Sequence, residues 1–167
     1  MAGAGKSTFS KALSAKTGRP LIHLDLYFWK PGWVAPAEHE WREKQRGLLE
    51  GDEWIADGNY HDTLELRVER AETVVFLDTP WWTCARRAFM RGLRKRPPGS
   101  ELPDGCDDSA WQRLRDEWGI VWRISRRRYS ERERELGILS RHGQHAELHM
   151  LRSKRAAREF LDGLDRV

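Results

Sequence analysis

The chain has 167 residues, and its 30 Lys and Arg against 26 Asp and Glu give a formal net charge of +4. This length fits one domain with a substantial core, and two cysteines are too few for a disulfide framework. The sequence holds neither a membrane-spanning apolar stretch nor a signal-peptide pattern. We therefore expect a single domain in the reducing cytoplasm without a membrane partner, and a modest basicity that suits phosphate-bearing ligands.

The sequence MAGAGKST at residues 1–8 matches all but the first glycine of the phosphate-binding motif GxxxxGK[ST]. Glycines let backbone amides converge on phosphate oxygens, and the following helix presents its positive end to the same anion. In such a loop Lys6 reaches the β- and γ-phosphates, and the Ser7 hydroxyl ligates Mg²⁺. The alternative is a disordered Gly/Ala-rich segment. The motif predicts that ATP and Mg²⁺ bind at Gly3, Ala4, Gly5, Lys6, Ser7 and Thr8.

Helical and strand patterns alternate along the chain. Helical spacing from Ser7 to Lys16 is followed by Gly18, a typical helix terminator. Short apolar runs that end in an acid predict buried parallel strands, and the alternation with helices predicts a βαβ sheet. The predicted strands are 20–25, 54–57, 73–78 and 147–151, and the predicted later helices are 36–49, 81–95, 109–139 and 153–164.

Three of the predicted strands end in a carboxylate, at Asp25, Asp57 and Asp78. Ligands of open α/β sheets bind just beyond the carboxyl ends of the strands. Asp25 is therefore expected at the site, and either Asp57 or Asp78 could hold Mg²⁺ through water.

The segment 26–33, LYFWKPGW, is unusually aromatic for a loop. One interpretation is an acceptor pocket whose walls, Phe28, Trp29 and Trp33, stack on a planar ring. The other is a hydrophobic flap packed on the core, because aromatic side chains dominate cores and pockets alike. The sequence leaves both open.

Arginines are dense in the second half of the chain, with a Pro/Gly-rich break between two helical stretches. A solvated basic face paired with glutamates would explain them. Alternatively, residues 92–128 form a helical lid that brings cations to a transferred phosphoryl group. The lid arginines proposed for this role are Arg94, Arg126, Arg127 and Arg128.

The order of these parts resembles the adenylate-kinase-like P-loop kinases. More narrowly, His23-Leu24-Asp25, the aromatic block 28–33, Asp57-Gly58-Asn59-Tyr60 and Leu151-Arg152-Ser153 resemble the bacterial DNA topology modulation proteins. The resemblance implies a three-layer α/β/α P-loop NTPase fold with a five-stranded parallel sheet in the order 2-3-1-4-5. The first strand of that sheet should precede the loop and is missing from the sequence. We therefore expect that Met1 is a mis-assigned start and that about ten further residues lie upstream.

The same resemblance implies roles for individual residues. It places Asp57 beside the Mg²⁺ waters and Arg67 where such kinases hold an acceptor phosphate. The segment 25–28 also looks like a segment of uridine and nicotinamide riboside kinases, in which the acid takes the hydroxyl proton; this makes Asp25 the expected base. The substrate-binding residues implied together are Asp25, Phe28, Trp29, Trp33, Asp57, Asn59, Tyr60 and Arg67.

The leading functional hypothesis is an ATP-dependent kinase of a small-molecule acceptor, a nucleoside, nucleotide or other ring-bearing alcohol. Lys6, Asp25, Arg126, Arg127 and Arg128 are its expected catalytic residues. A nucleotide-binding regulator that contacts DNA through the basic stretches is the alternative from another class, although no DNA-docking motif accompanies them. A plain NTPase is the third possibility.

Overall fold

The structure, a computed structural model, describes residues 1–93, 101–106 and 110–164. Helices and short parallel strands alternate along the chain. The helices are α1 Lys6–Thr17, α2 Leu24–Phe28, α3 Glu38–Leu48, α4 Leu64–Val68, α5 Trp81–Gly92, α6 Ala110–His142 and α7 Lys154–Gly163; the strands are β1 Leu21–His23, β2 Ile55–Asp57, β3 Thr73–Leu77 and β4 Glu147–Leu151. Within the described ranges, no helix combines the length and the apolar character that crossing a membrane requires.

Local signals in the sequence fix two of the helix ends. Gly18 ends α1 in the left-handed region, at φ 72°, and its amide donates to the Ser14 carbonyl. Ser153 caps α7, where its Oγ accepts from the Ala156 amide at 3.0 Å. These predictions are confirmed.

One predicted strand is shorter than expected. The run 20–25 predicts a strand that reaches Asp25, but β1 ends at His23 and the chain turns into α2 at Leu24. Leu24 is fully buried in a core cluster with Ile22 and Trp41. An apolar run of this length does not distinguish a strand from a buried helical turn, so the predicted boundary is wrong.

The strands form two parallel pairs. β1 pairs with β2, with His23 opposite Asp57, and β3 pairs with β4, with Leu77 opposite Leu151. These pairs correspond to strands 2-3 and 4-5 of the expected order. The α/β class is confirmed, whereas the described residues form two two-stranded sheets rather than one continuous sheet.

A cleft of about 800 Å³ lies between β2 and β3. Its walls are the residues of these two strands together with apolar side chains of α1 and α7, among them Phe9, Leu13 and Phe160. The cleft lies where the expected order places the first strand. No pairing of β2 with β3 crosses it.

Helix α6 is fixed to the strand layer by an ion pair. The Arg132 guanidinium donates two hydrogen bonds to the Asp78 carboxylate, at 3.1 and 3.0 Å. These hydrogen bonds hold the pKa of Asp78 below its ordinary range. A second pair on the same helix, Arg134 with Asp62 at 2.6 Å, is exposed to solvent.

The two ion pairs of α6 give a matched comparison of stability. Asp78→Asn should lower the free energy of unfolding by about 1 to 2 kcal/mol at neutral pH, because a partly buried bidentate pair is lost. Asp62→Asn should change it by at most a few tenths of a kcal/mol, since exposed pairs contribute little. Urea unfolding at pH 7 measures both.

The effect of Asp78→Asn should also depend on pH. The pKa of Asp78 is lowered in the folded protein, so its contribution is present above the ordinary value of 3.8 and is lost as the pH falls below it. The two proteins should therefore converge in stability in acid. A pH-independent difference would contradict this account of the pair.

Candidate functional site

The glycine loop is held in a conformation that only glycine adopts easily. Gly3 and Gly5 have φ of 75° and 99°, in the left-handed region. A Cβ on Gly3 would overlap the carbonyl oxygen of Cys84 in α5, so the loop lies directly against that helix. Gly5 is the N-cap of α1, and no side chain caps this helix. The first-turn amides of α1 are therefore not used by a capping side chain.

Two side chains from the β3–α5 region hold the loop carbonyls. The Arg87 guanidinium donates to the Gly3 and Ala4 carbonyls at 3.2 and 3.3 Å, and the Thr79 hydroxyl donates to the Ala4 carbonyl at 3.2 Å. In a trans peptide the N–H points opposite to the C=O. The amides of Ala4 and Gly5 therefore face away from Arg87.

Lys6 lies where the loop meets the strand ends. Its Nζ donates to the Met1 carbonyl at 2.8 Å. Burial lowers the pKa of Lys6, and the nearby carboxylates of Asp57, Glu135 and Asp25 oppose that shift. Lys6, Asp57 and Glu135 line the same cleft, and Asp25 lies outside its lining but acts on the charge of Lys6.

Of the two acids proposed for the metal, Asp57 lies at the loop. It is 9% exposed, and its Oδ2 lies 3.4 Å from the Ser10 hydroxyl and 3.3 Å from His23 Nδ1. Asp78 instead binds Arg132 with both carboxylate oxygens. In the part of the chain that the structure describes, no group of three or more His, Cys, Asp or Glu is arranged to hold a metal ion.

Asp25 and Tyr60 meet at the carboxyl ends of β1 and β2. Asp25 is exposed in the first turn of α2, and the Tyr60 hydroxyl donates to its Oδ1 at 2.7 Å. Burial and the Asp25 carboxylate both raise the pKa of Tyr60 well above its ordinary value of 10.0. The phenol is therefore protonated at neutral pH and acts as the donor in this bond.

The aromatic segment packs largely on itself and on α3. The Phe28 ring lies 4.5 Å from Tyr60, 5.1 Å from Trp41 and 4.9 Å from Trp29, and Trp29 lies 5.7 Å from Trp33. Because Trp41 is only 4% exposed, these contacts support a flap packed on the core. A pocket of about 360 Å³ also opens beside Phe28 and Trp41, but neither Trp29 nor Trp33 lines it.

Arg67 lies in the core rather than in open solvent. It is 6% exposed and donates to Gln45 Oε1 at 3.1 Å and to the carbonyls of Tyr60 and Gly58 at 3.3 and 3.5 Å. Burial lowers its pKa to about 10. Arg67 therefore supports the turn that carries Asn59 and Tyr60; Asn59 itself lines the cleft between β2 and β3.

Only part of the predicted lid can be placed. Gly105 and Cys106 lie against the turn inside the aromatic segment, where the Gly32 amide donates to the Gly105 carbonyl at 2.9 Å and the Cys106 Sγ lies 3.5 Å from the Lys30 carbonyl. Arg94 lies outside the described residues. Arg126, Arg127 and Arg128 belong to α6, and of their side chains only that of Arg126 is described: its guanidinium lies 5.1 Å from the Trp122 ring.

Three residues that support the site are not marked by the sequence patterns. Arg87 and Thr79 hold the loop, while Glu135 of α6 lies near Lys6 and 3.4 Å from His61 Nδ1. Arg87 and Glu135 belong to charge-rich helical stretches, in which nothing distinguishes them from their neighbours. Their roles depend on contacts between distant parts of the chain.

Comparison of the chain with protein-family models, with curated proteins and with solved structures finds no match. The functional conclusion below therefore rests on the residues of this chain and their contacts.

Two glycines test how strongly the loop depends on its contact with α5. Gly3 and Gly18 have almost the same φ, 75° and 72°, but a Cβ on Gly18 would have nothing within 4 Å. Both alanine variants should bear the cost of a left-handed residue, about 1 to 2 kcal/mol. Gly3→Ala should lose roughly 1 to 3 kcal/mol more, because the new methyl group overlaps Cys84. Chemical unfolding of both variants measures the difference, and equal losses would show that the contact is unimportant.

Proposed function

We propose that this protein is an ATP-dependent phosphotransferase of the P-loop kinase type, which transfers the γ-phosphoryl group of ATP to a small molecule with a hydroxyl group. The observation that carries the proposal is the placement of Lys6 and Asp57 on the wall of one cleft beside the glycine loop, with Asp25 near enough to act on the charge of Lys6. A phosphate-binding cation, an exposed carboxylate and a buried carboxylate are the groups that such a transfer requires at one place. The parallel strand pairs, with Asp25 and Asp57 at the carboxyl end of the β1–β2 pair, support the P-loop fold that belongs to this proposal.

The loop and α1 fit a nucleotide polyphosphate. Arg87 and Thr79 hold the loop carbonyls on one side, so the amides of Ala4 and Gly5 are oriented away from these donors. The uncapped first turn of α1 adds further amides and the positive end of a 12-residue helix. Lys6 would then leave the Met1 carbonyl to bind phosphate oxygens. Exposed Ser7 and buried Asp57 would hold Mg²⁺, which neutralises charge on the phosphates.

Asp25 is the proposed base for the acceptor. It is exposed at the carboxyl end of β1 and close enough to Lys6 to affect the pKa of that residue. Asp25 takes the proton of the acceptor hydroxyl while the hydroxyl oxygen forms a bond to the γ-phosphorus. The bond from that phosphorus to the bridging oxygen breaks, and the electron pair leaves with ADP. Lys6 stabilises the charge that moves onto the transferred group and the leaving oxygen.

The contacts of Arg67 favour an acceptor without a phosphate group. Its guanidinium is buried and donates to one side-chain amide and two backbone carbonyls. These bonds hold the guanidinium at the turn that carries Tyr60, so moving it to an acceptor phosphate would leave the Gln45 side-chain oxygen and the two carbonyls without this donor. Phe28, Trp29 and Trp33 are only partly buried, so the segment that follows Asp25 keeps aromatic surface on which a planar ring can stack. A nucleoside or another ring-bearing alcohol is therefore the acceptor class that we propose.

Nucleotide binding is the first test of this proposal. Lys6→Ala should weaken MgATP binding about 10- to 100-fold, because a charge-assisted contact to phosphate is lost. Lys11→Ala, an exposed position on the same helix, should bind ATP like the unmodified protein. Isothermal titration with MgATP measures all three dissociation constants. If the unmodified protein, shown to be folded by circular dichroism, binds neither ATP nor ADP with magnesium, the proposal is wrong.

Transfer to an acceptor is the second test. A panel of nucleosides and sugar alcohols with MgATP, followed by coupled detection of ADP, identifies an acceptor. Asp25→Asn should then reduce kcat by about 100-fold or more, since general-base catalysis contributes that much, and should leave ATP affinity within about twofold. Asp162→Asn, an exposed change in α7, serves as the control. Equal losses of turnover and ATP binding would contradict the assignment of Asp25 as the base.

A further inference from the structure

We infer that Tyr60 is a positioning residue for Asp25: its hydroxyl holds Oδ1 of the carboxylate so that Oδ2 faces the acceptor hydroxyl. The inference rests on the proposed function and assigns a role to a contact that the motif comparison did not predict. The resemblance makes Tyr60 a substrate-binding residue. In the structure its polar atom is instead bonded to Asp25.

Asp25 needs such a partner because its surroundings do little to restrict it. It is exposed, and it follows directly on the three-residue strand β1. An exposed carboxylate samples several rotamers, and a base that must meet a hydroxyl in one geometry loses rate when it is misplaced. The Tyr60 hydroxyl supplies a short bond of 2.7 Å to one of its two oxygens. Hydrogen bonds to an ionised acceptor are stronger than neutral ones, so this bond favours one rotamer.

Tyr60 is itself rigidly held, which makes it a suitable anchor. Its ring lies 4.5 Å from Phe28 and 5.0 Å from Trp41, both on elements that pack in the core beneath the aromatic segment. Its carbonyl accepts hydrogen bonds from Arg67 at 3.3 Å and from the Thr63 amide at 3.4 Å. The buried Arg67 and Gln45 pair thereby fixes the backbone at the end of β2. The hydrogen bond from Tyr60 therefore ties the Asp25 carboxylate to the core, although Asp25 itself lies in an exposed turn of α2.

This arrangement also divides the two oxygens of the carboxylate between two tasks. Oδ1 accepts a hydrogen bond from the Tyr60 hydroxyl. The proton stays on the phenol because burial and the carboxylate raise the pKa of Tyr60. Oδ2 is left for the acceptor hydroxyl. A base that also accepts a fixed hydrogen bond keeps its orientation through the turnover, as in catalytic groups that a third residue orients.

Tyr60→Phe is the variant that isolates the hydroxyl, because the ring and its packing on Phe28 and Trp41 stay in place. We expect kcat to fall about 10- to 100-fold, while KM for ATP stays within about twofold. Tyr27→Phe is the matched control: Tyr27 is 38% exposed, lies in the same helix as Asp25, and should keep the kcat of the unmodified protein. Thermal unfolding checks that both variants are folded.

A double-mutant cycle decides whether Tyr60 acts through Asp25. If it does, Tyr60→Phe should reduce kcat in the unmodified protein but change it less than about twofold in the Asp25→Asn background. A full loss in both backgrounds would show that Tyr60 acts on the substrate directly and would overturn the inference. An unchanged kcat in Tyr60→Phe alone would overturn it as well, while the proposed function would stand.

A second measurement does not depend on catalysis. Tyrosine ionisation can be followed by ultraviolet absorbance as the pH is raised. In Asp25→Asn one tyrosine should ionise at lower pH than in the unmodified protein, because the hydrogen bond and the negative charge that raise the pKa of Tyr60 are lost. The same titration curve in both proteins would overturn the contact. If the contact is present but no acceptor is phosphorylated, the proposed function fails, and the positioning role fails with it.

Discussion

The packing of the glycine loop on α5 is the constraint on which the candidate site depends. Gly3 lies so close to Cys84 that no side chain fits between them, and Arg87 and Thr79 hold the loop carbonyls. These contacts set the direction of the loop amides and the point at which α1 begins. Lys6 is the first residue of that helix, so its position relative to the strands follows from the same contacts. The contacts that fix the loop thus come from α5 and the residues just before it, which lie outside the phosphate-binding motif.

The charges around Lys6 explain how a half-buried site keeps its ionised groups. Burial disfavours a lone ammonium group, and the carboxylates of Asp57, Glu135 and Asp25 offset part of that cost. The same carboxylates would repel a polyphosphate if they stood alone, which is why the proposed function has the nucleotide bind together with magnesium. Asp78 does not contribute to this balance, because Arg132 occupies both of its oxygens and ties α6 to the strand layer. Asp57 and Asp78 thus lie at equivalent strand ends but differ in their contacts: Asp57 lies near Lys6, whereas Asp78 binds α6.

The split between the strand pairs is the other main feature of the fold. β2 and β3 border the cleft without pairing across it, and apolar side chains from helices on both sides complete its walls. Parallel sheets are ordinarily covered on both faces and have strands paired on both sides except at the edges. The two pairs are held in place by α1, α5 and α6 through the loop contacts and the Asp78 ion pair. Helix packing and ion pairing therefore connect the two strand pairs, which share no backbone hydrogen bonds.

The sequence by itself determined the strands, the longer helices and the loop, but not the short helices α2 and α4. Gly18 and Ser153 marked helix ends, apolar runs ending in an acid marked strands, and the glycine pattern placed Lys6 and Ser7 at the start of a helix. These features could be predicted because their causes are local: backbone conformation, capping and periodicity. The turn at Leu24 escaped prediction because a short buried run has no period that separates strand from helix.

Only the tertiary structure decided which groups meet. It joined Tyr60 to Asp25, turned Arg67 into a support of the backbone, separated Asp57 from Asp78, and brought Arg87 and Glu135 to the loop. The partners in these contacts are mostly far apart in sequence, and the choice among many similar arginines and acids depends on helix packing rather than on residue type. The residue type limits the chemistry that a side chain can perform. Its distance from other groups and its burial decide which contacts it makes, and these are fixed only when the elements pack together.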